Sequence, residues 1–219
     1  MIAELPHDVQ GHVWDMYTED LHRRIDDRHR HAATKVVDYV GMLCNDDAAA
    51  RDYLLDWTAH MLQHPDVKPS KGIVLVGREN CGKTMLVHLL SRLIPTLYTN
   101  NPRRDVYGRH NGLMEITQLV VIEDAERLHL PSLKSIITDP FVTIRGRHAA
   151  RVVPSSHRTL LLVSELQASL FDRRFYPIHC TEECMGDPET IESLRHIFST
   201  PALDALRAML LARPVSRVI

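Results

Sequence analysis

The sequence predicts an α/β fold: a central, mainly parallel sheet in a three-layer sandwich, with a helical segment before it and helices after it. Three observations carry that expectation. The runs IVLVG (73–77), LVVI (119–122) and RTLLLVSEL (158–166) are short and almost continuously apolar, as strands buried on both faces of a parallel sheet must be. Stretches with helical spacing of apolar residues lie among them. A glycine-rich loop, GRENCGKT (77–84), joins the first of these strands to a helix, and that placement gives the pattern structural meaning.

The elements follow in order. Residues 1 to about 66 read as helical. In AAARDYLLDWTAHMLQH (48–64), Tyr53, Leu54, Trp57, Met61 and Leu62 form one apolar face. The preceding stretch, TEDLHRRIDDRHRHAATKVVDYVGML, also reads as helix, with HRRIDDRHRH as a solvated face. HPDVKPSKG, with two prolines and a glycine, breaks the pattern before the first strand. TMLVHLLSRLI (84–94) is the helix after the glycine loop, and 99–112 reads as loop. The strand LVVI follows, then a short helix in 130–140. FVTIRGRHAARVVP (141–154) reads as two strands around a Gly-Arg-His turn, and RTLLLVSEL as the third buried strand. Helix returns over 187–213. The expected organisation is an N-terminal helical segment (1–66), a core (67–186) and a C-terminal helical segment (187–219).

Composition narrows the class. With 44% hydrophobic and 25% charged residues among 219, the chain is an ordinary water-soluble globular protein. A net charge of -2 announces no global affinity for nucleic acid, so any such surface must be local. No apolar run has transmembrane length, and MIAELPHDVQ lacks the basic start and apolar core of a signal peptide. A bacterial or host cytoplasm is the expected location. Cys44, Cys81, Cys180 and Cys184 form no disulfide framework. His179, Cys180 and Cys184 lack a second half that would complete a zinc site, so ordinary thiols are expected. The 14 histidines show no ligand spacing, and no metal is assigned to them.

The chemistry centres on the glycine loop. The backbone N–H groups of Arg78, Glu79, Asn80, Cys81, Gly82, Lys83 and Thr84 can wrap a phosphate, helped by the positive end of the following helix. Gly77 and Gly82 permit backbone geometry that a side chain hinders. Lys83 can reach the β- and γ-phosphates of ATP, and the Thr84 hydroxyl can ligate Mg²⁺. Such a cradle needs an acid at the end of a neighbouring strand. Glu123 and Asp124 follow LVVI and can divide the work, one orienting the Mg²⁺ shell and the other polarising the attacking water. Glu126 is expected to be peripheral. In DRRF (172–175), Arg173 and Arg174 can stabilise phosphate charge in a neighbouring subunit's site, or pair internally with Asp172.

With these parts in sequence, the chain resembles the helicase domain of phage and plasmid primase–helicase proteins, superfamily 3 of the AAA+ P-loop NTPases. The resemblance covers residues from about 50 to 180. It rests on Gln63-His64-Pro65 ahead of the phosphate loop, then GRHNG, LVVIEDA, LKSIITDP, VTIRGR and FDRRF in the family's order. It implies an ATP-driven hexameric ring that translocates on single-stranded DNA. It also implies that the strands of 141–154 form a hairpin entering the central pore, with Arg145, Arg147 and His148 at its turn. Local charge supports that independently: 141–164 contains Arg145, Arg147, Arg151 and Arg158 and no acid. No primase or origin-binding segment is legible, so the expectation is either a piece of a longer protein or a stand-alone motor whose partner is a separate primase or replication protein.

Two positions depart from the family: near the hairpin turn Arg145 replaces its lysine and keeps the charge, and the second departure has more consequence. Where the family places Ser-Asn after the third strand, this chain has Ser164-Glu165. An ionised carboxylate there cannot donate a hydrogen bond to a γ-phosphate. Gln167 could take the sensing role, or hydrolysis is weak. That opens a second reading, a nucleotide-binding but hydrolysis-weak assembly or replication accessory module. A third, a P-loop phosphotransferase with DRRFYP as its lid, is disfavoured by the hairpin and the Gln-His-Pro segment.

Overall fold

The computed structural model describes residues 27–109, 111–125, 135–146, 149–165, 173–183 and 200–216. Two helices open it, α1 (Asp27–Leu43) and α2 (Ala48–Gln63). Asp47 caps α2, its carboxylate accepting from the N–H groups of Ala49 and Ala50. The core follows as β1 (Gly72–Val76), α3 (Lys83–Leu93), β2 (Thr96–Thr99) and a single helical turn, α4 (Pro102–Asp105). Then come a 3₁₀ turn (Gly112–Glu115), β3 (Leu119–Ile122), β4 (Phe141–Arg145), β5 (Ala150–Pro154), β6 (Arg158–Val163) and β7 (Phe175–His179). The last helix is α5 (Thr200–Ala212).

Five strands form one sheet in the order β2-β3-β6-β1-β7, every neighbouring pair parallel. This is the predicted α/β sandwich. The middle strands β1, β3 and β6 are buried at every position, which is why their sequences are unbroken apolar runs. β4 and β5 stand apart as an antiparallel pair, Ile144 opposite Arg151. The two strands expected around the Gly-Arg-His turn are therefore a hairpin outside the main sheet.

Two apolar clusters cover the sheet's faces. One takes Val36, Tyr39 and Leu43 from α1, Leu54, Trp57 and Met61 from α2, Leu86 and Leu90 from α3, and Leu206 and Leu210 from α5. The other joins Val74, Val120 and Leu161 to Val106, Met114, Ile136 and Ile144, so one face of the hairpin belongs to it. Tyr53, on the edge of the apolar face of α2, stacks on Tyr176 with ring centroids 3.9 Å apart. Gln63 secures α5 by donating to the carbonyls of Leu210 and Arg213 at 2.8 and 2.7 Å.

Three details differ from the sequence reading. The stretch read as loop over 99–112 contains α4, started by Pro102 behind the Asn101 cap. The strands β2 and β7 were not foreseen. β7 lies at the sheet edge, where Pro177 is tolerated because only one side of the strand needs donors. No helix among the described residues is long and apolar enough to cross a membrane.

Candidate nucleotide site and hairpin

All five parallel strands end along one edge of the sheet. Gly77 N–H donates to the Val163 carbonyl (3.1 Å), Cys180 N–H to Val76 (2.7 Å) and Glu123 N–H to Thr99 (3.0 Å). The glycine loop, Ser164-Glu165 and Glu123-Asp124 thus leave neighbouring strands at one level, where ligands of open α/β sheets are held. β6 lies between the loop strand and the acid strand, so Glu165 emerges between the two motifs and is exposed. Gln167 and Glu126 lie outside the described residues.

The loop's shape has identifiable causes. Asn80 and Gly82 have φ of 63° and 102°, values that turn the backbone sharply into α3. The helix begins at Gly82 with no side-chain cap, which leaves its first N–H groups available to an anion. Gly77 has no room for a side chain: a Cβ there would meet Cys180 Cβ at 2.9 Å and Cys81 Sγ at 3.0 Å. Lys83 reaches back across the loop, its Nζ donating to the carbonyls of Gly77 and Arg78, the latter at 2.7 Å. Arg78, Glu79, Asn80 and Thr84 are exposed along the rim.

Residues outside the motif hold it. Tyr39 of α1 donates its hydroxyl to the Gly82 carbonyl at 2.7 Å. Burial, chiefly, holds that phenol far above its ordinary pKa, so it stays a donor. Tyr98 of β2 sits beside the acids; partial burial and then a hydrogen bond to the Glu123 carboxylate raise its pKa. Asp124 has a φ of 50° and turns away from the strand immediately after Glu123. Neither tyrosine was singled out from sequence. An aromatic in a four-residue strand or on a helix's apolar face carries no signal of what its hydroxyl touches.

Arg173 and Arg174 lie at the other edge. They precede β7, and the Arg174 carbonyl accepts from Gly72 N–H (2.9 Å) at the start of β1. The length of β1, about 16 Å, separates them from their own chain's phosphate loop. Arg173 is exposed and Arg174 half-buried. Asp172, the alternative partner, lies outside the described residues.

At the hairpin, Asn111 is the organising residue. It is buried, its Nδ2 donates to the carbonyls of Val106 (2.6 Å) and Thr143 (2.9 Å), and its Oδ1 accepts from Arg145 N–H (2.6 Å). One side chain thereby satisfies two alternate backbone groups of β4, as a neighbouring strand would. Arg145 reaches the Tyr107 carbonyl at 3.3 Å. Arg147 and His148 lie outside the described residues. Outward, the hairpin is apolar, with Phe141 59% and Val152 67% exposed.

The arginines of 141–164 do not act as one surface. Arg151 pairs with Glu115. Arg158 is only 1% exposed and donates to the carbonyls of His64, Pro65, Val67 and Ser156, at 2.5 to 2.8 Å. Burial lowers its pKa to about 10, so it remains charged at neutral pH. It pins the Gln-His-Pro segment to β6 and contributes nothing to a nucleic-acid surface. Of the His179, Cys180 and Cys184 cluster, Cys184 lies outside the described residues; among the described residues no group of three or more potential metal ligands occurs.

No family model matches the sequence, and no curated protein does. Solved structures of the C-terminal region of NrS-1 are similar in fold. Its apo A form superposes with a TM-score of 0.69 at 20% identity over 84% of this chain. A second apo structure of that region gives 0.68 at 19% identity. This chain spans 46–47% of the length of those structures. The likeness establishes the α/β fold with its central parallel sheet.

Proposed function

We propose that this chain is an ATP-hydrolysing motor domain that assembles into a ring, hexameric in the related family, and translocates on single-stranded DNA during replication of a phage, plasmid or other mobile element. The observation that carries the reading is the division of the core sheet. Its carboxyl edge bears the phosphate loop and the acids, and its opposite edge bears Arg173 and Arg174. A chain so built cannot bring its arginines to its own phosphates, but it can present them to the next subunit.

The residues suit the ligands. The close approach of backbone at Gly77 and the uncapped start of α3 fit a triphosphate held by N–H groups, with Lys83 as the counter-charge. Thr84, Glu123 and Asp124 are the residues that would hold Mg²⁺, which supplies charge neutralisation between the phosphates. Tyr98 orients Glu123. The hairpin, with Arg145, Arg147 and His148, is assigned the DNA backbone.

Glu165 favours the second reading, an assembly or accessory module that binds nucleotide and hydrolyses it poorly, because it emerges exposed between the loop and the acids. Steady-state ATP hydrolysis, with and without single-stranded DNA and across protein concentrations, separates the two. The motor reading expects DNA-stimulated turnover that rises faster than linearly with concentration. Tight nucleotide binding with no turnover in any condition replaces it with the module.

A further inference from the structure

The phosphate loop contains a thiol, and a second thiol stands against it. Cys81 lies between Asn80 and Gly82, the two positive-φ residues of the loop. Cys180 directly follows β7, the strand paired with β1. Both side chains converge on the space above Gly77, where an added Cβ would touch Cys180 Cβ at 2.9 Å and Cys81 Sγ at 3.0 Å. The absence of a side chain at Gly77 is what lets the sulfurs approach. Lys83 Nζ lies 3.6 Å from Cys81 Sγ on the other side.

We propose that Cys81 and Cys180 form a peroxide-sensitive dithiol, which closes as a reversible disulfide across the base of the phosphate loop and lowers its affinity for nucleotide.

The two sulfurs have opposite characters, as such a pair requires. A hydrogen bond from Cys180, followed by the nearby Lys83 ammonium, holds the Cys81 pKa below the ordinary thiol value and so favours its thiolate. Cys180 is held protonated by that same hydrogen bond and by burial. The third described thiol, Cys44, is pushed up to about 12 by burial and is a poor nucleophile. Both members of the pair are buried, Cys81 being 2% exposed, so the oxidant must be small. Hydrogen peroxide meets that need.

The chemistry balances. The Cys81 thiolate attacks one peroxide oxygen, the O–O bond breaks, and the departing hydroxide takes a proton to become water. Cys180 sulfur then attacks the sulfenic sulfur of Cys81, the S–O bond breaks, and a second water leaves with the Cys180 proton. Two thiols are oxidised and one peroxide is reduced to two waters. The new bond is about 2.05 Å long, shorter than any contact between free thiols. Cys81 must therefore move toward Cys180, carrying with it the loop N–H groups on either side and the contact to Lys83. Transient disulfides of this kind are the ones a reducing compartment tolerates.

The loss of nucleotide affinity rests on the nucleotide-binding reading above; the crosslink does not. The test treats the full chain with hydrogen peroxide, blocks free thiols, and maps disulfides by peptide mass spectrometry. Binding of a fluorescent ATP analogue is measured on the same samples. The expected result is a Cys81–Cys180 crosslink, an affinity reduced about tenfold or more, and recovery of both with a dithiol. Cys180→Ser, which keeps a hydrogen-bond donor beside Cys81, should form no crosslink and should instead accumulate Cys81 sulfenic acid, trapped by a dimedone probe that wild type escapes. Absence of the crosslink in wild type, or pairing of Cys81 with Cys44 or Cys184, overturns the dithiol. A crosslink with unchanged affinity overturns the switch. Failure of the reduced protein to bind the analogue removes the nucleotide reading and the switch with it, while the crosslink alone still decides the dithiol.

Discussion

Around the phosphate loop, Tyr39 holds the Gly82 carbonyl, Cys180 closes on Gly77, Lys83 spans the loop and Gly77 is paired to β6. At the hairpin, one face packs through Val142, Ile144 and Val153, and a few side chains, Asn111 foremost and then Arg145, Arg151 and Lys68, supply the polar anchorage. The loop is determined from several elements at once; the hairpin is a two-stranded arm outside the sheet, marginal without its root. A site that must recognise a fixed charge pattern benefits from preorganised backbone.

Four experiments press on that contrast, beginning with the largest expected effect. Lys83→Ala removes the loop's counter-charge without touching the core; hydrolysis should fall by about a hundredfold or more, with an unchanged circular dichroism spectrum. Retained turnover would show that the rigid region is not the site. Mixing wild-type protein with the Arg173→Ala/Arg174→Ala double variant should depress hydrolysis by more than the variant's share, because each altered subunit spoils its neighbour's site. A strictly proportional loss would place the arginines' role within one chain.

Asn111→Leu should strike the arm alone. It strands the Val106 and Thr143 carbonyls and the Arg145 N–H, a cost of roughly 2–4 kcal/mol in urea-melt stability. DNA binding should weaken, while affinity for nucleotide stays within about twofold, as expected of distant sites. An equal loss at both sites would erase the distinction. The smallest effect concerns Lys68, which donates to the Asp139 carbonyl (2.8 Å) and Ser155 Oγ (3.0 Å) at the hairpin's foot. Burial lowers its pKa to about 8 from an ordinary 10.5. Between those values the unfolded chain binds the extra proton, so its contribution to stability increases as pH rises through that window. Urea midpoints from pH 7.5 to 10 should climb less steeply in Lys68→Gln than in wild type; parallel slopes would mean that Lys68 keeps its ordinary pKa.

The same contrast governs what could be read from sequence. β1, β3 and β6 were legible because full burial writes an unbroken apolar run, and the loop because its glycines and lysine have fixed spacing. The edge strands were not. TLYT is short and half-exposed, and FYPIH carries a proline that only its edge position excuses. The charge count of 141–164 was legible, but its distribution was not. Arg158 turns inward to carbonyls of His64, Pro65 and Val67, and backbone acceptors leave no trace in composition. The partnership of Cys81 with Cys180 was hidden for a related reason: it depends on the adjacency of β1 and β7, which no local pattern states.

The hydroxyl of Tyr39 has a practical consequence for anyone trimming this protein. Every recognisable motif lies after residue 48, and a shortened chain starting there would look complete on paper. It would lack the 2.7 Å bond that steadies the Gly82 carbonyl, along with the apolar cover that Val36, Tyr39 and Leu43 lay over the core. A fragment that keeps this bond and this cover therefore has to include α1.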